Sequence, residues 1–192
     1  MKRGVLGLKE IIQKKIKHMR KLFLLCIIPT VLFSCVDMKQ PKPNTDIPEI
    51  TTYYLIRHAE KDRSNPDNKN PDLNEKGIAR AALWSNVFQK IKFDEIYSTE
   101  LNRTQQTVSA ISLQSDVKLT PYAADNLYSE DFKMRTQGKT VLVAGHSNTT
   151  PQFVNKIIGE DRYPNMDDND NGTLYIVTVV GNKTKVQVLT IN

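Results

Sequence analysis

Thr51-Thr52-Tyr53-Tyr54-Leu55-Ile56-Arg57-His58-Ala59-Glu60-Lys61 decides the reading of this 192-residue chain. A run of strong strand formers stops where an arginine, a histidine and a carboxylate begin. In α/β domains the C-terminal ends of parallel strands open on the crevice where ligands bind, so a strand ending in Arg57-His58 delivers both side chains there. Thr140-Val141-Leu142-Val143-Ala144-Gly145-His146 has the same shape. The chain holds three histidines, and two of them sit just past such strands.

Outward from these two runs, strands and helices alternate. Asp62 to Asp72 is polar and carries two prolines, which makes it a surface loop at the mouth of the site. Asn74 is placed to cap a helix whose apolar positions Ile78, Ala81, Ala82, Trp84, Val87, Phe88 and Ile91 follow at helical spacing. Trp84 belongs to its buried face. Phe93–Ser98 reads as a second strand that leads into a helix opening around Arg103. Val117–Thr120 reads as a third strand, Phe132–Gln137 as a short helix, and Gln152–Ile158 as a helix with Pro151 in its first turn. Thr173–Val179 and Lys185–Leu189 form a hairpin about Gly181-Asn182. The expected fold is α/β, with three layers. A mostly parallel central sheet carries helices on both faces and ends in a C-terminal antiparallel hairpin.

The net charge of +6 suggests a nucleic-acid binder only until it is located. Residues 1–34 hold eight Lys and Arg against Glu10, so the remainder is close to neutral and loses the basic footprint that nucleic acid requires. Met19-Arg20-Lys21 followed by the apolar run Leu22 to Phe33 has the form of a signal peptide. The run is too short for the roughly 20 residues of a spanning helix. Leu32-Phe33-Ser34-Cys35 resembles the lipobox of bacterial lipoproteins. The expectation is therefore a signal peptide over 1–34, with Met19 as the possible true start. Cys35 would be lipidated, a Pro-bearing tether would cover 35–50, and the domain would span 51–192. Such a protein would be exported to the bacterial cell envelope and held to the membrane by the lipid. Cys26 leaves with the signal peptide, so the mature chain folds without disulfides.

Arg57, His58, Arg103 and His146 converge on the strand ends. Two guanidinium forks match the oxygens of a phosphoryl group, and a helix start adds backbone N–H donors. The sequence has neither a Gly-rich phosphate loop nor a carboxylate cluster for Mg²⁺, so side chains must hold the phosphate, with no metal and no cofactor expected. Asp167-Asp168-Asn169-Asp170-Asn171-Gly172 matches the first half of an EF-hand loop. The twelfth position is Thr178 instead of Glu and a strand follows, so a polar turn is the better reading.

Arg57-His58-Ala59-Glu60, Ser98-Thr99-Glu100-Leu101-Asn102-Arg103-Thr104-Gln105-Gln106-Thr107 and Gly145-His146-Ser147-Asn148 closely resemble the three signature segments of the histidine phosphatase superfamily, the phosphoglycerate-mutase-like proteins. They stand in the family's order, over about residues 51–190. The resemblance implies that His58 attacks phosphorus, that Arg57, Arg103 and His146 bind the equatorial oxygens, and that water hydrolyses the phosphohistidine. The family's usual triplet is Arg-His-Gly, and Ala59 stands in the glycine's place. It further implies an acid for the leaving oxygen, for which Asp125 is the candidate, with Glu130 and Glu60 as fallbacks. Ser147, Glu60 and Lys61 are expected around a small phosphorylated substrate. The sequence resembles the smaller branch of the superfamily, since it lacks the long Arg-His-Gly-x-Arg-x-Pro segment and the His-Asp pair of the acid phosphatases. Arg103 and Lys139 are 36 positions apart, too few for the lid of phosphoglycerate mutases. Phosphomonoester hydrolysis is thus expected ahead of phosphotransfer. Two other readings stay open, a catalytically silent phosphate-binding lipoprotein and a metal hydrolase using His58, Glu60 and His146.

Overall fold

A computed structural model describes residues 48–192. The expected signal peptide, Cys35 and most of the tether lie outside the described residues. Ten elements follow in order: β1 (Ile50–Arg57), α1 (Glu75–Phe88), β2 (Glu95–Ser98), α2 (Asn102–Ser115), β3 (Leu119–Pro121), α3 (Glu130–Thr136), β4 (Thr140–Gly145), α4 (Thr149–Ile158), β5 (Thr173–Val180) and β6 (Lys183–Thr190). The strands form a six-stranded sheet in the order β3-β2-β4-β1-β5-β6. The first four in that list run parallel, and β5 and β6 add an antiparallel pair.

The alternation of side chains across the pleat sorts the core into two halves. Tyr53, Leu55, Val141, Val143 and Val177 point to one face, where Phe132 of α3 and Phe153 of α4 cover them. Ile56, Leu142, Ala144 and Leu174 point to the other, against Trp84 and Phe88 of α1 and Val108 and Ile111 of α2. Both faces are therefore layered with helix, and Trp84 is fully buried, as its spacing predicts.

Local chemistry sets most boundaries. Asn74 caps α1 by accepting from Gly77 N at 2.9 Å. Ser129 caps α3 by accepting from Phe132 N, which starts that helix two residues before the sequence reading places it. The second strand begins at Glu95 instead of Phe93. Phe93 is apolar because it packs on Phe88 and Tyr54, and Asp94 turns its carboxylate to the backbone N–H of Thr140. The third strand is likewise shifted, to Leu119–Pro121.

Register places the functional segments side by side. Arg57 pairs with Gly145 across β1 and β4, and Ser98 pairs with Ala144 across β2 and β4. One residue further along each of β1 and β4 is a histidine, and His58 N donates to Gly145 O at 2.9 Å. The sheet order β2-β4-β1 thus lines up Thr99, His146 and His58 at one end of the parallel strands.

Candidate active site

His58 is buried, 4% exposed, and its Nδ1 lies 2.7 Å from the carbonyl of Ala59. A carbonyl only accepts, so Nδ1 carries the hydrogen and Nε2 carries the lone pair. Asn171 Nδ2 donates to His58 O, and Thr107 Oγ1 accepts from Ala59 N. Together with the strand hydrogen bond to Gly145, these contacts fix the backbone that aims the ring.

His146 stands beside it, with ring centroids 5.5 Å apart. Its Nε2 is 3.0 Å from Thr99 Oγ1, which is 2.8 Å from Thr104 Oγ1. Thr104 has backbone carbonyls, Leu101 O at 2.7 Å and Thr99 O at 3.0 Å, to take its own proton. Thr99 can therefore give its proton to Thr104 while accepting from His146, or give it to His146 directly. The imidazole can gain or lose a proton without losing this anchor.

Arg57, 2% exposed, is gripped from a distant part of the chain. Its Nη1 donates to the carbonyls of Asp167, Asp168 and Asp170 at 2.8, 3.0 and 3.0 Å, and Nη2 meets Asp168 Oδ1 at 3.0 Å. The turn that resembled half an EF-hand is thus the cradle of an arginine, and its carbonyls serve that guanidinium. Among the described residues, Arg57 Nε has no partner, and neither do Nε and Nη1 of Arg103 in the first turn of α2. Three buried N–H groups of two guanidiniums thus go unsatisfied, which is costly unless an anion accepts from them.

Electrostatics follow from this crowding. Burial pulls His58 down to about 3, against the Ala59 carbonyl, which favours the protonated ring; Arg57, Arg103 and His146 lower it further. His146 falls to about 4 through burial, then Arg103, Arg57 and Lys61. Arg103 itself is lowered by burial and by Arg57. Arg57 and Arg103 thus surround two neutral imidazoles with positive charge.

A pH prediction follows from the two histidines. Unfolded imidazoles titrate near about 6.5, so between that pH and about 4 the unfolded chain binds protons that the folded chain refuses. Stability in phosphate-free buffer should fall as the pH drops through this window and be insensitive to these groups above it. Melting curves from pH 7.5 to 4.5 should show a shallower acid loss in His58→Gln and His146→Gln than in wild type. Parallel curves for all three would contradict the depressed titration.

The remaining expected residues separate. Lys61 lines the same cavity as His58, and burial, then Arg103 and Arg63, hold its ammonium below the usual lysine range. Ser147 lies in the turn after His146, where its carbonyl accepts from Met166 N at 2.8 Å. Glu60 lines the cavity beside His58, but both its carboxylate oxygens lie 2.9 Å from Arg80 Nε, with Lys76 Nζ at 3.5 Å. A carboxylate so held is a poor proton donor and a poor metal ligand, which corrects its place as a fallback acid and in the metal-hydrolase reading. Asp125 is exposed on the wall of a separate cavity with Glu130, Gln152 and Lys156, which His58 does not line. The structure does not bring Asp125 or Glu130 to the two histidines.

Several contributors went unassigned in the sequence. Asp168, Asn171, Thr99, Thr104 and Thr107 all hold site residues. The threonines sit inside the segment around Arg103, and their burial, complete for Thr104 and Thr107, comes from tertiary packing that no local signal announces.

The family model of the histidine phosphatase superfamily (branch 1) matches residues 53–128, a stretch that takes in Arg57, His58 and Arg103. No curated protein matches the chain in sequence. Among solved structures, a protein from Agrobacterium tumefaciens assigned as phosphohistidine phosphatase SixA superposes with a TM-score of 0.55 at 21% identity, over 73% of this chain and 99% of that one. Phosphoglycerate mutase from Bacillus anthracis str. Sterne gives 0.58 at 12%, over 74% and 94%. The protein histidine phosphatase SixA complexed with tungstate gives 0.57 at 13%, over 72% and 96%. At these identities the likeness establishes the shared fold, a phosphoglycerate-mutase-like sheet.

Proposed function

We propose that this chain, whose residues 53–128 match the family model of the histidine phosphatase superfamily (branch 1), is a metal-independent phosphatase acting through a phosphohistidine at His58. The observation that carries this reading is the set of unpartnered guanidinium N–H groups on Arg57 and Arg103 around a neutral imidazole whose Nε2 is free. The phosphoryl group enters with its oxygens on Arg57 Nε and on Nε and Nη1 of Arg103. His58 Nε2 attacks phosphorus in line, the bond to the leaving oxygen breaks, and the Nδ1–H to Ala59 O contact supports the positive charge that grows on the ring. His146 gives a further hydrogen bond to the phosphoryl oxygens when protonated. Water then attacks the phosphohistidine, releasing phosphate and restoring His58.

The two carboxylates that line the cavity beside His58, Glu60 and Asp168, are both ion-paired with arginine. Neither is placed to hand a proton to the departing oxygen, so turnover should depend on leaving groups that depart without one. Steady-state rates on aryl phosphates of graded phenol acidity, with EDTA present, test this. Rates should rise steeply from phenyl to p-nitrophenyl phosphate and be unchanged by the chelator. A flat series, or activity lost to EDTA and restored by a divalent cation, would sink the proposal.

The signal-peptide pattern and Ser34-Cys35 support a further reading, a lipid on Cys35 and residence in the bacterial cell envelope. Among the described residues, no helix is long and apolar enough to cross a membrane. Metabolic labelling with a fatty acid should tag wild type and not Cys35→Ser, and label in neither would remove the anchor.

A further inference from the structure

The parallel strands carry the site at one end of the sheet and leave the opposite end without a task. That far end is where the four parallel strands begin, where α1, α2 and α3 finish and where β5 turns into β6. It holds four exposed large apolar side chains, Ile50 at 56%, Val87 at 37%, Leu113 at 84% and Met134 at 66%. Lys90, Lys92, Lys118 and Lys183 are exposed on the same end. Among the described residues, none of these lysines makes an ion pair. Lys90 follows α1 and offsets the negative end of its dipole, but Lys92, Lys118 and Lys183 lie outside helices and have no such task. Two acids beside them are engaged, Glu95 by Lys139 and the Tyr97 hydroxyl, and Asp94 by the backbone N–H of Thr140, which leaves Glu49 and Asp116 to oppose the lysines. Around the site end the balance is reversed. Asp62, Asp67, Asp72, Glu75, Glu100 and Asp167 are exposed there, while Arg63 and Lys76 are paired with Asp168 and Glu60.

We propose that this far end is a docking face for an anionic lipid bilayer, with the four lysines on the headgroups and Leu113 and Met134 set between them, so that the site opens away from the membrane. Charge complementarity carries the choice of partner. A basic end with apolar tips is drawn to an anionic surface, and the acids around the site end are repelled by it, which orients the domain. A second copy of the chain fits less well, because a two-fold contact through this face sets the same lysines against each other. The chain enters the domain at this end, two residues before β1. Positions 36–47 separate Pro48 from Cys35, so a lipid there would hold the face within about 45 Å of the bilayer. At that range the effective concentration is high enough to keep a weak patch seated, so the lipid supplies proximity and the patch supplies orientation.

The test uses residues 48–192 without any lipid, since both halves of the core lie within them and the domain folds alone. Its binding is measured by co-sedimentation with vesicles of phosphatidylcholine, and with vesicles in which about a third of the lipid is phosphatidylglycerol. Binding to the mixed vesicles should be at least about tenfold stronger, and high salt should return it to the phosphatidylcholine level. The double variant Lys90→Glu, Lys183→Glu should erase the preference, and Leu113→Ser with Met134→Ser should weaken it about threefold or more. Lys69→Glu, which reverses an exposed charge at the site end, should keep it. Thermal melts that match wild type show that each variant is folded. Equal binding to the two vesicle types, or the same loss in Lys69→Glu as in the lysine double variant, would overturn the docking face. Self-association in sedimentation velocity that Leu113→Ser abolishes, with no vesicle preference, would make the face an interface between copies and overturn it as well. No readout involves turnover, so the result stands or falls apart from the phosphatase reading, and the absence of lipid from the domain keeps it apart from the fate of Cys35.

Discussion

Replacing His58 with alanine is expected to lower turnover of p-nitrophenyl phosphate by about 10⁴- to 10⁶-fold, the scale seen when a catalytic nucleophile is removed. Its Nδ1 is fixed as a donor to Ala59 O, which leaves Nε2 as the nucleophilic lone pair in the cluster. His146 cannot substitute, because its Nε2 is engaged by Thr99. Vanadate should still bind to His58→Ala, since Arg57 and Arg103 remain. The hydrogen bonds of residue 58 to Gly145 and Asn171 are made by its main chain and persist in the variant, so the fold should survive. A steady-state assay beside vanadate binding checks both halves. Turnover within tenfold of wild type would remove His58 from the chemistry.

Arg103→Ala is expected to cost about 10²- to 10⁴-fold in kcat/KM, the range for losing a preorganised donor to a transferring phosphoryl group. Arg103→Lys should recover little, because an ammonium cannot present two fixed N–H groups to two oxygens. Stability should move the other way. Nε and Nη1 of Arg103 are buried without partners and its charge is disfavoured by Arg57, so the alanine variant should melt no lower than wild type. Arg57→Ala offers the contrast. It orphans the carbonyls of Asp167, Asp168 and Asp170, so it should lose activity and also about 1–3 kcal/mol of stability. Kinetics and thermal melts of the two variants together separate a substrate arginine from one that also builds its loop. Equal destabilisation by both would show that Arg103 has a structural partner.

Much of this arrangement is legible before any coordinates. The two runs ending in His58 and His146 are read correctly because buried parallel strands need uninterrupted β-favouring residues, and an abrupt charge marks where burial stops. The cap at Asn74 and the turn at Gly181-Asn182 are equally local, and each is found where the sequence places it. What fails to show in the sequence is long-range. Arg57 is seated by a loop 110 to 113 positions downstream, and Glu60 is neutralised by Arg80 on a different element. Asp125 is the candidate acid only because the resemblance calls for an acid and Asp125 lies in the segment that follows Arg103. The chain from Tyr122 onward instead packs against α4, with Tyr122 and Tyr128 on Phe153, which sets Asp125 beside Gln152 and Lys156. Phe93 misled for a related reason, since apolarity records burial and burial is not confined to strands.

The central claim is a covalent phosphohistidine on His58, and trapping it is the most direct test. The wild-type protein would be mixed with ³²P-labelled phosphoester, quenched within milliseconds and mapped by peptide mass spectrometry. The account predicts label on the peptide containing His58, labile in acid and stable in base, and no label in His58→Ala. Turnover without any labelled intermediate, or label on another residue, would contradict it.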